Sequence, residues 1–122
     1  MIQLHQLLDQ ITFGIEIVVG GLIADQWRLR RELEQLITIL PGKNADNCMI
    51  HIEPDCAMYM QGAKNPCVFA ELRLYKASPA DKKQAFADAF AKLLREKYAI
   101  ADDFIYMNIP ERDHWIMRSQ II

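Results

Sequence analysis

Glu71 and Arg73 stand two residues apart in CVFAELRLYK, a segment of alternating character. Strand geometry puts this acid and base on one face with Phe69 and Tyr75. Such a pair either moves protons or, as we expect here, forms a salt bridge between subunits. Tyr106 and Asn108 share a face by the same rule, opposite Ile105, Met107 and Ile109. The three apolar residues suit packing against helices, which leaves the phenol and amide to solvent or a subunit interface. Lys43 follows Pro41-Gly42 in a turn, the ordinary place for a solvated lysine. His5, His51 and His114 are dispersed, and none stands at metal-ligand spacing from another histidine or a cysteine. No metal is expected. Cys48, Cys56 and Cys67 are odd in number without a close pair, which argues against a disulfide framework and for a reducing, cytoplasmic setting. Asp102-Asp103 reads as a solvated loop.

The elements that must carry these residues follow from periodicity. Residues 15–20 (IEIVVG) read as a strand ending in Gly20-Gly21. Residues 24–40 carry Trp27, Leu33, Leu36, Ile37 and Leu40 near helical spacing, and Pro41-Gly42 stops them. Residues 49–53 form a short strand before Pro54-Asp55, and residues 67–76 the clearest strand. Ser78 is a candidate cap, Pro79 fits a first helical position, and Asp81 suits the positive first turn. Phe86, Phe90, Leu93 and Leu94 continue that helix to Lys97-Tyr98. Residues 104–109 are a final strand, and residues 115–122 an apolar tail without an evident partner. Two β-α-β units result, about fifty residues apart. Both a ferredoxin-like sandwich and a pseudo-two-fold repeat accept that order.

Composition narrows the partners. The chain has 122 residues, 52% hydrophobic and 25% charged, with a net charge of -2, an ordinary globular profile for one domain. It has no Lys/Arg-rich run, so nucleic acid is not an expected partner. The apolar run 11–24 is shorter than the ~20 residues of a bilayer span, and Glu16 interrupts it. It also lacks the basic lead of a signal peptide, because no Lys or Arg precedes Arg28. No membrane partner is expected. Leu4, Leu7, Leu8 and Ile11 have the spacing of a short helical arm that docks on a partner or subunit.

Gly42-Lys43, Pro54-Asp55, Met58, Pro66-Cys67 and Tyr106-Met107-Asn108 stand in register without a gap. In this the chain resembles the macrophage migration inhibitory factor branch of the tautomerase superfamily, over roughly residues 13–115. Trp115 falls near that family's C-terminal tryptophan after a short deletion. The resemblance implies an α+β fold, with two β-α-β units forming a four-stranded sheet and two helices on one face. It implies a homotrimer with pockets between subunits, in a domain of residues 12–122 behind an extension of residues 1–11. The implied activity is keto–enol tautomerisation of a small α-keto acid of the phenylpyruvate type, with no cofactor. Lys43 would bind the carboxylate. Tyr75 would stand on the pocket's apolar side, where the family usually has Ile. Tyr106 and Asn108 would enter from a neighbouring subunit.

The same resemblance shows departures. The family's base is the secondary amine of an N-terminal proline, whereas this chain begins Met1-Ile2 and has no proline before Pro41. The proline's position falls at Thr12, or else at Met1 or Ile2, whose primary amine (pKa ~7.7–8) is a poorer base. Cys67 is followed by Ala70 rather than a second cysteine, so thiol–disulfide chemistry is not expected. A non-catalytic trimeric binding or signalling protein is the alternative, and a ferredoxin-like dimer that binds a small ligand is a third reading.

Overall fold

A computed structural model describes residues 13–117 and 119–121. Strand β1 (Phe13–Val19) turns Ile15, Ile17 and Val19 to the core and Gly14, Glu16 and Val18 to the other face. Helix α1 (Gln26–Leu36) is capped by Asp25, whose carboxylate accepts the Arg28 N–H at 3.0 Å. A 3₁₀ turn, Ile37–Ile39, extends it. Its buried stripe is Leu29, Leu33, Ile37 and Leu40. Trp27 does not belong to that stripe. It is 70% exposed, with the Arg30 guanidinium 4.7 Å from its ring centroid, and Leu29 takes the core position instead.

Strands β2 (Cys48–Glu53) and β3 (Val68–Tyr75) follow, then helix α2 (Ala80–Tyr98). The helix starts one residue later than the sequence suggests, with Pro79 at the cap. Ser78 does not cap; its backbone N–H donates to Glu111 Oε2 at 2.6 Å. Asp81 lies in the first turn and Arg95 and Lys97 in the last, each matching the helix dipole. Phe86, Phe90 and Leu94 are buried at four-residue spacing. Tyr98 Oη donates to Glu32 Oε1 at 2.6 Å and ties the two helices together.

The chain ends in β4 (Ile105–Asn108), β5 (Glu111–Arg112), and a small hairpin of β6 (Ile116–Met117) and β7 (Gln120–Ile121). The expected apolar tail is thus partly folded, with Ile116 opposite Ile121 and both exposed.

The main sheet has the order β2-β1-β3-β4, with β5 also paired to β3. β1 pairs in parallel with β2, β3 in parallel with β4, and β1 with β3 antiparallel. The two strands of each β-α-β unit are therefore direct neighbours. A ferredoxin-like split unit leaves room for another strand between them, so this topology rules that arrangement out. Two β-α-β units meet about a local two-fold axis, and the fold is α+β with both helices on one face. The core of Ile17, Leu72, Leu74, Leu29, Leu33, Phe86 and Phe90 lies between sheet and helices. Among the described residues no helix is long and apolar enough to cross a membrane.

Candidate functional site

Lys43 sits where α1 has ended and the chain turns toward β2. Gly42 adopts φ 72°, a conformation that favours glycine, and the Lys43 N–H donates to Leu40 O at 3.2 Å. That turn tucks the lysine in: at 8% exposure it is the buried charged side chain among the described residues. Asn44 caps the following turn through its side chain, which accepts the Asp46 N–H at 3.0 Å, and β2 begins at Cys48. Burial, and then the nearby Glu34 charge, push the Cys48 thiol up to about 12. It is a neutral thiol at physiological pH and a poor nucleophile.

Strand register brings Tyr75 to the same end of the sheet. Phe13 lies opposite both Cys48 on β2 and Leu74 on β3, one residue before Tyr75. Tyr75 belongs to the face away from the helices yet is only 7% exposed. The Lys76 ammonium stands 5.2 Å from its ring centroid. On the other side of β3, Tyr75 pairs with Arg112 of β5. Lys43 and Tyr75 therefore mark one end of the sheet.

Tyr106 and Asn108 do not join them within a chain. They pair with Phe69 and Glu71, toward the middle and far end of the face. β4 and β5 keep one register along β3, interrupted only at Ile109-Pro110, so Tyr106 is six residues from Arg112. At about 3.3 Å per residue this separates Tyr106 from the Tyr75 end by about 20 Å. Both side chains are exposed, Tyr106 at 59%, while Ile105, Met107 and Ile109 pack toward the core as their alternation predicts.

Glu71 and Arg73 form an ion pair inside the chain, at 2.8 Å, rather than one that waits for another subunit. They belong to a ribbon of charge across three strands. Arg73 also reaches Glu16 at 3.5 Å, while His51 presents Nδ1 to Glu16 at 3.0 Å and Nε2 to Glu53 at 3.2 Å. The His51 hydrogen bond, with Arg73, holds the Glu16 carboxyl below its usual range. This ribbon satisfies itself and does not read as a catalytic pair.

The motif residues Pro54, Asp55, Met58 and Cys67 gather at the opposite end of β1. Asp55 N–H donates to Gly21 O at 2.8 Å, Cys56 N–H to Val19 O at 2.9 Å and Gly20 N–H to Cys67 O at 2.8 Å. They are architecture, not chemistry. Among the described residues no group of three His, Cys, Asp or Glu is placed to hold a metal. A groove of about 410 Å³ lies between α1 and β2, lined by Trp27, Arg30, Ile50 and Ile52 among others, and none of the four candidate residues borders it. Thr12, Met1, Ile2 and the Leu4–Ile11 pattern lie outside the described residues. Trp115 is half-buried, and its indole N–H lacks a hydrogen-bond acceptor.

Arg112 and Lys76 are the residues that sequence reasoning missed. Arg112 has the same parity as Tyr106 and Asn108, but Pro110 reads in the sequence as the end of the strand before it.

Known proteins show the same architecture. The crystal structure of Leishmania major MIF2 superposes with a TM-score of 0.79 over 92% of this chain and 98% of its own, at 15% identity. The macrophage migration inhibitory factor-like protein of Entamoeba histolytica gives 0.77 over 90% and 98%, at 18% identity. The homologue from Prochlorococcus marinus gives 0.76 over 88% and 97%, at 20% identity. In sequence, the macrophage migration inhibitory factor of Meriones unguiculatus is 28% identical over 80 residues, which is 66% of this chain and 70% of that protein. The family described as Macrophage migration inhibitory factor (MIF) matches residues 23–119, a span that runs from the buried Ile23 through Lys43, β2, β3 and β4 to β6 and leaves out β1. With the paired β-α-β units and the sequence match in agreement, the chain belongs to the macrophage migration inhibitory factor family.

Proposed function

We propose that this protein binds a small α-keto acid of the phenylpyruvate type and interconverts its keto and enol forms, in pockets shared between the copies of a homotrimer. The burial of Lys43 at the head of the sheet carries this reading. There the ammonium meets the substrate carboxylate and offsets charge that develops on the adjacent enolate oxygen. Tyr75 walls the pocket from the same chain. Tyr106, about 20 Å away within a chain, and Asn108, about 13 Å away, come from a neighbour. The reaction takes a proton from the carbon beside the carbonyl, passes through the enolate and returns a proton to oxygen. The base needs a pKa near the working pH. Cys48, pushed up to about 12, does not qualify. The position of the family's base falls at Thr12, or else at Met1 or Ile2, and Thr12 offers an amine only once the residues before it are removed. The free thiols Cys48, Cys56 and Cys67 fit a reducing compartment, and we place the protein in the cytoplasm.

One observation favours the alternative, a non-catalytic trimeric binding or signalling protein. Ile11 precedes Thr12 in the chain, so the Thr12 nitrogen is an amide without a basic lone pair. The two readings separate on the ultraviolet absorbance of enol-phenylpyruvate, followed with the full-length protein and a Lys43→Ala variant. Turnover that drops at least tenfold in the variant supports the tautomerase, on the scale of a lost charge-assisted contact of about 1.5–3 kcal/mol. No turnover above buffer overturns it in favour of the binding protein.

A further inference from the structure

We infer that Arg112 is a second anion-binding residue of the Lys43–Tyr75 site, and that the site prefers α-keto acids bearing a distal carboxylate. This rests on the reading of that site as an α-keto acid pocket. The register pairs Tyr75 with Arg112, and the Lys76 N–H donates to Arg112 O at 2.9 Å on the same ladder. Paired residues of neighbouring strands stand side by side on one face, about 4.8 Å apart. The arginine is thus the lateral neighbour of the buried phenol.

Its neighbour Glu111 fixes that orientation. Glu111 faces the helix side, where its carboxylate accepts the Ser78 N–H at 2.6 Å and Lys83 Nζ at 2.8 Å. Alternation then commits Arg112 to the opposite face, and the nearest carboxylate is already engaged. Arg28, Arg30, Arg73 and Arg95 each face a carboxylate within 4 Å. Of the remaining described arginines, the exposed Arg31 and Arg112 have no such partner, and only Arg112 adjoins this site. Its guanidinium makes a single long contact, Nη1 to the Glu111 carbonyl at 3.4 Å.

Position completes the argument. Lys43 leads into β2 and Arg112 lies on β5, on opposite sides of β1 and β3. Three strand spacings put about 14 Å between the β2 and β5 backbones. Long cationic side chains at both limits of that span, with Lys76 over Tyr75 between them, suit a small dianion. A guanidinium is also the side chain that pairs with a carboxylate bidentately.

Calorimetric titration of the full-length protein tests this with 2-oxoglutarate and 2-oxopentanoate. The two share a five-carbon chain, but the second carries a methyl group in place of the distal carboxylate. The expected result is about tenfold or tighter binding of 2-oxoglutarate, as for a charge-assisted contact. That preference should collapse in Arg112→Ala and survive in part in Arg112→Lys, which keeps a charge should the alanine variant fail to fold. Equal affinity for the two acids in the parent protein, or a preference that persists in Arg112→Ala, overturns the role of Arg112 and leaves the α-keto acid site standing. Binding of neither acid overturns the preference for a distal carboxylate, and the turnover of enol-phenylpyruvate then decides separately whether the α-keto acid site stands.

Discussion

Glu16 holds the centre of the open face, between a histidine and an arginine on the two flanking strands. Because those partners hold its carboxyl below the usual value, the charged form favours the folded state. Its contribution is complete above the unfolded carboxyl value of about 4.3 and is lost as pH falls through the lower folded value. Glu16→Gln should therefore melt at a lower temperature than the parent at neutral pH, and the gap should close below about pH 4. A gap that does not change with pH contradicts the ion-pair account. At this scale the sequence was informative in a particular way. Lys43 is ambiguous in its turn, and only its company of motif residues marks it out. Tyr75 and Arg112 become neighbours only through strand pairing, which no local pattern encodes. Alternation puts Glu71 and Arg73 on one face, but the second carboxylate that Arg73 reaches, Glu16, lies on another strand.

Gly20 shows how an element can depend on one small residue. A Cβ there would lie 2.8 Å from Met58 Cβ and 3.2 Å from Cys67 Sγ, contacts with little room to relax. Gly20→Ala should cost about 1–3 kcal/mol of stability in urea unfolding, as overpacked sites do. An unchanged midpoint would mean that the Pro54–Met58 segment does not close over β1. Both helices and the four main strands were legible because apolar spacing and breaker residues agree. α2 is the clearest, although its cap is Pro79 and its Ser78 serves Glu111 instead. In α1 the stripe departs from the pattern at Trp27, since a large aromatic at helical spacing reads as core, and here it covers the surface with Arg30. β5 was hidden by Pro110, which lacks an N–H and suggests an end, while the register continues past it.

As a whole, the molecule is two-sided. One face of its sheet is sealed by helices, and the other carries Val18, Phe69 and Tyr106 as one row beside the charged ribbon. An exposed apolar row of this kind suits an interaction surface. The sheet order could not be read from the sequence. Periodicity permits two arrangements of β-α-β units, and only the direct pairing of β1 with β2 and β3 with β4 decides between them.

On the proposed function one chain holds half of a site, with Lys43 and Tyr75 at one end of the sheet and Tyr106 and Asn108 well removed. Sedimentation equilibrium of the full-length protein tests it most directly. A mass three times the 14.1 kDa of the chain is the predicted result. A single-chain mass at micromolar concentration would contradict the account, because no chain could then complete its pocket.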